Sequence, residues 1–164
     1  MTKVGLLSDT HGYWDEKYLQ YFESCDEIWH AGDIGTLEVA QKAAAFRPFR
    51  AVYGNIDGQD LAHGSIRKCS VLRWTAPEVL MKHIGGYPGK YDPSVQGKHH
   101  GASAQAVRQR PFAYTEGEVR QDIGHAPYQS GAAGIYGFHK VRTMVRFTID
   151  GGVFKDLEVI ELAG

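Results

Sequence analysis

The sequence predicts an α/β fold, because short apolar segments alternate with helical segments along the first third of the chain. Three apolar runs, at residues 4–7, 27–31 and 50–53, have the length and the turn-forming boundaries of buried parallel strands. Residues 15–23 and 37–46, which lie between these runs, are predicted to be helices. In a β-α-β-α-β unit with right-handed crossovers, the carboxyl ends of all three strands meet at one edge of the sheet.

The two helices are recognised by their faces and their boundaries. Tyr18, Leu19 and Phe22 share one face at helical spacing, which indicates an amphipathic first helix. Thr36 is a suitable N-cap for the alanine-rich second helix, and Pro48 ends it. These local signals support the alternation of strands and helices.

Length and composition restrict the possible functions. With 164 residues the chain has the usual size of one domain, and a net charge of −1 gives no electrostatic case for a nucleic-acid partner or an anionic membrane. No apolar segment approaches membrane-spanning length. Cys25 and Cys69 are too few for a disulfide framework, and the first strand leaves no room for a signal peptide, so we expect a cytoplasmic protein. Homo-oligomer formation stays open.

Polar residues follow each predicted strand at the point where it ends. Asp9 and His11 follow the first strand, Asp33 follows the second and Asn55 follows the third. Taken singly, Asp9 is equally well explained as a helix cap and His11 as a solvated side chain. Their convergence at one edge favours a site for divalent metal ions, because carboxylate oxygens and imidazole nitrogens suit metals of intermediate hardness. Asp33 lies between the other ligands in chain order and is the natural bridge between two ions about 3.5–4 Å apart.

Four motifs lie along the chain in the order Ser8-Asp9-Thr10-His11, Gly32-Asp33, Gly54-Asn55-Ile56-Asp57 and Lys82-His83-Ile84-Gly85-Gly86. Together they resemble the motifs of the calcineurin-like metallophosphoesterases, in particular their small single-domain bacterial and archaeal phosphodiesterases. The late segment 131–140 and the apolar runs 144–149 and 153–162 resemble the closing loop and the C-terminal β-hairpin of that family. The resemblance implies a layered sandwich of two mixed β-sheets flanked by helices, formed by a single domain over residues 1–164.

The resemblance also implies the metal ligands and the reaction. One ion would take Asp9, His11 and the bridging Asp33, and the other would take Asp33, Asn55 and His83. Asn55 is in addition the expected catalytic residue, donating to a phosphate oxygen. The expected metal is manganese, with nickel, iron or zinc as alternatives, since all accept mixed nitrogen and oxygen ligands. The implied reaction is hydrolysis of a phosphodiester, or of another small phosphate ester, by a metal-activated hydroxide.

Three neighbours of these ligands are less certain in their roles. Many relatives carry a histidine where this chain has Ile56, which favours diesters or substrates with good leaving groups. Asp57 either forms a turn or orients a group beside the ligands. His30, which follows Trp29 in the second strand, is expected to be packed or to contact a ligand.

One segment lacks a motif that the family carries. Residues 98–130 are polar, rich in glycine and glutamine, and show no strand or helix period. A Gly-His-x-His block, whose two histidines complete the metal sites, is missing there. His99, His100 and His125 lack its spacing and are expected to be solvated.

A change of reading frame offers an explanation. Pro111 and Ala113 stand where the two histidines are expected, and a shift of one base over this stretch can encode Gly-His-Ser-His. A shift of two bases over residues 66–74 can encode PEVLRFKV, which has a strand-like pattern. We therefore hypothesise that residues 62–78 and 98–130 are frameshifted relative to the ancestral gene.

Two classes of function follow from these observations. The first is a metal-dependent phosphodiesterase, and the alternative is a catalytically impaired interaction scaffold, because a retromer subunit uses the same fold for binding. The missing block favours the scaffold. The retained ligands favour the enzyme, since drift in an inactive protein would strike every motif.

Overall fold

The computed structural model describes residues 1–62, 70–73, 78–83, 86–87, 90–91, 105–108, 131–136, 140–151 and 153–162. These residues form the mixed α/β fold that the sequence predicts. In chain order the elements are β1 (Thr2–Leu7), α1 (Lys17–Phe22), β2 (Glu27–His30), α2 (Leu37–Phe46), β3 (Phe49–Ala51), α3 (Gln59–Ala62), β4 (Ser70–Arg73), β5 (Glu78–Lys82), β6 (Gly86–Tyr87), β7 (Lys90–Tyr91), β8 (Gln105–Arg108), β9 (Arg142–Asp150) and β10 (Val153–Leu162).

A five-stranded mixed sheet with the order β10-β9-β1-β2-β3 forms the centre of the fold. Strand β1 pairs in parallel with β2, which pairs in parallel with β3. Strand β9 runs antiparallel to both β1 and β10. The predicted β-α-β-α-β order is confirmed, and the carboxyl ends of the three parallel strands lie at one edge.

The short helix α3 was not predicted from the sequence, and of the two predicted helices only the first differs in its bounds. Helix α2 has the predicted bounds, and the Thr36 hydroxyl accepts the backbone N–H of Val39 at 3.5 Å. Helix α1 is shorter than the predicted residues 15–23. It begins at Lys17, because the Asp15 carboxylate accepts the N–H of Lys17 at 3.0 Å in a turn that precedes the helix.

Both faces of the parallel strands are buried, as apolar strands without alternation predict. Val4, Leu6 and Trp29 belong to one cluster, which also contains Met81 of β5. The opposite face packs against the buried Tyr18 and Phe22 of α1, in a second cluster. Strand β5 therefore lies across the sheet from α1. The face-to-face packing of two complete sheets stays a prediction.

Two smaller sheets follow in the chain. Strand β5 pairs antiparallel with β4 and parallel with β8. Strands β6 and β7 form a two-stranded sheet. The expectation of no strand within residues 98–130 is wrong for Gln105–Arg108, which is strand β8. This short polar strand is formed by pairing with β5, a contact that the local pattern does not reveal.

The predicted C-terminal hairpin is confirmed by the antiparallel pairing of β9 and β10. Its register shifts between Lys155 and Glu158, where Asp156 has a positive φ of 53°, as expected for a β-bulge. Of the helices described, none has the length and apolar character needed to cross a membrane.

Candidate metal centre

The loops that follow β1 and β2 run side by side and carry the first predicted ligands. The N–H of Asp9 donates to Gly32 O, and the N–H of His11 donates to Asp33 O, each at 3.0 Å. These bonds extend the parallel pairing of β1 and β2 beyond the ends of the strands. They bring Asp9, His11 and Asp33 to the edge where the sequence predicts a site.

Three predicted ligands have a left-handed backbone, which is rare outside glycine. The φ angles are 51° at Asp9, 48° at His11 and 54° at Asp33. Such conformations are energetically unfavourable and persist only where surrounding contacts impose them; they concentrate at functional sites. The bonds between the two loops are contacts of this kind.

The ligand atoms of four predicted residues lie close together. One atom each from Asp9, Asp33 and His83, all buried, lie within 4.8 Å of one another. His83 Nε2 is 3.5 Å from Asp33 Oδ1. His11, which is partly exposed, places its Nε2 3.6 Å from Asp33 Oδ2 and 3.9 Å from Asp9 Oδ1. The structure thus gathers residues that are far apart in the sequence, as the strand-end argument predicts.

The hydrogen bonding of His83 makes it suitable as a ligand. Its Nδ1 lies 2.8 Å from the carbonyl oxygen of Ala31. Because a carbonyl only accepts, Nδ1 carries the hydrogen, and Nε2 is left to take a proton or a cation. Among the described residues the buried Nε2 has no hydrogen-bond partner. A divalent cation between this nitrogen and the carboxylates of Asp9 and Asp33 would satisfy all three, so the residues present fit a metal ion.

The electrostatics of the site favour bound positive charge. Burial opposes the charged form of His83, but Asp33 and Asp9 outweigh it and raise the pKa of His83. Burial also acts on Asp33, but the neighbouring imidazole of His83 lowers the pKa of Asp33 below its ordinary value. Burial raises the pKa of Asp9, and a short hydrogen bond from Ser8 opposes this rise only in part. A proton on His83 and a metal cation compete for the same carboxylates.

The end of β3 approaches the site through its backbone. The N–H of Ile56 donates to Asp33 Oδ1 at 3.1 Å. A Cβ at Gly54 would collide with the backbone and carboxylate of Asp33, so only glycine fits there. Asn55, which lies between these two residues, has an exposed side chain. Its roles as ligand and as catalytic residue stay predictions.

Asp57 connects two loops through hydrogen bonds to their backbone. Its Oδ1 accepts the N–H of Gly35 at 2.8 Å, and its Oδ2 accepts the N–H of Gly54 at 2.7 Å. Of the two roles left open by the sequence, the turn-forming role is therefore observed. The same bonds hold Gly54 beside Asp33.

His30 is buried and fully hydrogen-bonded, which confirms the expectation of a packed histidine. Its Nδ1 accepts the N–H of Gly32 at 3.2 Å, and its Nε2 lies 2.9 Å from the Thr10 hydroxyl. The Thr10 hydroxyl in turn donates to Ile34 O at 3.0 Å. Burial lowers the pKa of His30 to about 3, so the ring is neutral. The role of Thr10 was not predicted from the sequence, where its one signal is its position between two predicted ligands.

The late loop packs against the Asp9 loop. The N–H of Ala133 donates to Ser8 O at 2.9 Å, and the N–H of Gly134 donates to Asp9 O at 3.1 Å. Arg142 holds this loop in place, because its guanidinium donates to Ala133 O and to the Asp15 carboxylate, each at 2.8 Å. Outside the described residues lie the predicted solvated histidines and the two positions of the missing block: His99, His100, His125, Pro111 and Ala113.

Comparison with known proteins identifies a family. Residues 2–151 match the calcineurin-like phosphoesterase superfamily domain. No curated protein matches the chain.

Several solved structures share the fold across nearly the whole chain. A structure of an archaeal phosphodiesterase is 18% identical with a TM-score of 0.69, covering 98% of this chain and 99% of that one. A solution NMR structure of a Thermotoga maritima protein is 19% identical with a TM-score of 0.71, covering 99% and 100%. Vps29 from Entamoeba histolytica, solved with Zn²⁺, is 11% identical with a TM-score of 0.66, covering 97% and 98%. At these identities the likeness shows the fold alone.

Proposed function

Because the chain belongs to the calcineurin-like phosphoesterase superfamily, we propose that it is a metal-dependent phosphodiesterase acting on a small phosphodiester or phosphate ester. One observation carries the proposal. The buried Nε2 of His83 has no hydrogen-bond partner among the described residues and faces the carboxylates of Asp9 and Asp33. A divalent cation between these groups would give Nε2 a partner and would balance the charge of the two carboxylates.

The orientation of Asp33 supports a site for two ions. Its Oδ1 lies 3.5 Å from His83 Nε2, whereas its Oδ2 lies 3.6 Å from His11 Nε2. The two oxygens of one carboxylate thus face two different imidazoles. We assign one ion to Asp9, His11 and Asp33, and the other to Asp33, Asn55 and His83. Manganese is the proposed metal, with nickel, iron or zinc as alternatives.

The chemistry follows from what each group provides. When bound, divalent ions lower the pKa of coordinated water and neutralise charge on the phosphoryl oxygens. The backbone N–H of Ile56, the residue after Asn55, donates to Asp33 Oδ1. The exposed amide of Asn55 would donate to a phosphate oxygen. Ile56 has no proton to give to a leaving group. The proposed substrates are therefore phosphodiesters whose leaving group departs without a general acid at this position.

The alternative is an interaction scaffold without catalysis. The fold is shared with a phosphodiesterase and with Vps29, so the fold by itself does not choose between them. The gathered side chains of Asp9, Asp33 and His83 favour the enzyme. Cytoplasmic location and homo-oligomer formation stay predictions.

The test is hydrolysis of bis(p-nitrophenyl) phosphate by the full chain, after chelation and again after addition of Mn²⁺. We expect Mn²⁺-dependent turnover, and we expect Asp33→Asn to lower kcat/KM roughly 100-fold or more, because losing metal-borne charge stabilisation costs several kcal/mol. Asparagine tolerates the left-handed backbone, so the fold is kept. Asp156→Asn makes the same change at an exposed left-handed aspartate in β10 and should leave turnover unchanged. No Mn²⁺-dependent turnover in the unmodified chain would favour the scaffold.

We also propose that residues 62–78 and 98–130 are frameshifted. Strand β8 runs parallel to β5, with Arg108 opposite Lys82, so β8 ends at the edge where His83 lies. A block that follows β8 and carries two further histidine ligands would therefore begin close to His83. Resequencing the gene decides the matter, since an unambiguous confirmation of both printed segments refutes a sequencing error. A chain carrying the restored Gly-His-Ser-His block should bind Mn²⁺ more tightly than the printed chain.

A further inference from the structure

We propose that Thr10 and His30 form a positioning pair that fixes the Asp9–His11 loop relative to Asp33 and thereby sets the affinity for the metal. The inference rests on the proposed metal site. It adds two residues that touch neither substrate nor cation. Both side chains are completely buried.

The direction of every hydrogen bond in the pair follows from chemistry. A backbone N–H only donates, so Gly32 donates to His30 Nδ1. The hydrogen of the neutral ring is then on Nε2, which donates to the Thr10 hydroxyl. The Thr10 hydroxyl in turn donates a hydrogen bond to Ile34 O. Both ring nitrogens and the hydroxyl hydrogen are used, and the result is a single chain of bonds with one orientation.

The end points of this chain explain what it positions. Gly32 and Ile34 flank Asp33 on either side, and Thr10 lies between Asp9 and His11. Thr10 is hydrogen-bonded directly to Ile34 and, through His30, to Gly32. These bonds therefore fix the separation of the two loops that carry the ligands.

Positioning is needed because the ligands have unfavourable backbones. Asp9, His11 and Asp33 all have left-handed φ angles, and relaxation of any of them would move its side chain. Metal sites tolerate deviations of only about 0.2 Å in ligand distance. Burial keeps His30 neutral, with its pKa lowered to about 3, so the pair adds no positive charge beside the cations.

The test measures Mn²⁺ affinity of the metal-free full chain by titration calorimetry. Thr10→Val keeps the shape and removes the hydroxyl, whereas Thr10→Ser keeps the hydroxyl. We expect Thr10→Val to weaken binding about 10- to 100-fold, as losses of outer hydrogen bonds at metal sites do, and Thr10→Ser to restore affinity close to that of the unmodified chain. The matched control is Thr148→Val, the same change at a buried threonine of β9 that pairs with Lys3 near the start of β1, away from the carboxyl end of β1 where Asp9 lies. It should leave the affinity unchanged.

Several outcomes overturn the inference. If Thr10→Val binds Mn²⁺ normally while Asp33→Asn does not, the positioning pair is refuted and the proposed function stands. If Asp33→Asn also binds normally, the metal site and the pair both fail. If Thr10→Ser is as weak as Thr10→Val, the effect is packing and not hydrogen bonding. Should Thr10→Val not fold, His30→Gln places an amide donor near Thr10 but no acceptor at the position of Nδ1, where Gly32 donates, and it should weaken binding about 10-fold.

Discussion

Two buried histidines lie at the ends of two strands, and they differ in how many of their ring nitrogens the protein itself engages. His30 at the end of β2 is 0% exposed, and His83 directly after β5 is 2% exposed. His30 uses both ring nitrogens in hydrogen bonds within the protein. His83 uses Nδ1 for Ala31 O, while its Nε2 has no such partner among the described residues.

The electrostatic behaviour of the two rings differs in the same way. Burial lowers the pKa of His30 to about 3, whereas the carboxylates of Asp33 and Asp9 overcome burial and raise the pKa of His83. Burial of a histidine therefore does not identify a ligand. The informative feature is whether a ring nitrogen remains for a cation after the internal hydrogen bonds are assigned.

The largest expected effect is on the stability conferred by His30. His30→Ala leaves a cavity and removes partners from Gly32 and Thr10, so we expect a loss of about 3–5 kcal/mol in the free energy of unfolding. Urea denaturation of the metal-free protein measures it. His83→Ala should lower the free energy of unfolding by clearly less. Equal losses in the two variants would contradict the distinction between the two histidines. Ile160→Val, in the buried part of β10, calibrates the scale at about 1 kcal/mol.

The second expected effect concerns His83 and appears only with metal. Mn²⁺ at about 100 times its Kd should raise the free energy of unfolding by about 2.7 kcal/mol. His83→Ala should abolish this gain, since it removes a ligand, while Ile160→Val should keep it. Thermal unfolding with and without Mn²⁺ gives the difference. A full gain in His83→Ala would remove His83 from the site.

The third effect, which is smallest per unit of change, is a dependence on pH with opposite signs at the two histidines. Because the folded pKa of His30 is about 3 and the unfolded value is 6.5, its contribution is present above pH 6.5 and is lost as the pH falls towards 3. The slope is up to about 1.4 kcal/mol per pH unit. His83, whose folded pKa is raised, contributes below pH 6.5 and loses that contribution as the pH rises through its folded pKa.

The measurement is urea denaturation of the metal-free protein between pH 7.5 and 4.5. His30→Gln should have a shallower decline than the unmodified chain at acidic pH. An unchanged pH profile would show that His30 is not held neutral by the fold.

Local patterns were sufficient for much of the fold. The apolar runs of β1 and β2 and the capping Thr36 of α2 are signals contained within a few residues, and all three elements are confirmed. The gathering of Asp9 and Asp33 follows from the strand order, because parallel strands end at one edge.

Non-local contacts explain what the sequence did not reveal. Strand β8 has no apolar pattern of its own and depends on pairing with β5. The bond between Thr10 and His30 joins residues twenty positions apart, and its direction depends on the backbone of Gly32. No periodicity encodes such a bond.

The place of β9 in the central sheet has a consequence for synthesis of the protein. Strand β1 emerges from the ribosome long before its antiparallel neighbour β9, which begins only at Arg142. Folding must therefore wait for a partner made late in translation, as expected for sheets with large sequence separation. Until then Leu6, which is opposite Val145 in the finished sheet, lacks that neighbour. We therefore expect a chaperone to improve the folding of the nascent chain.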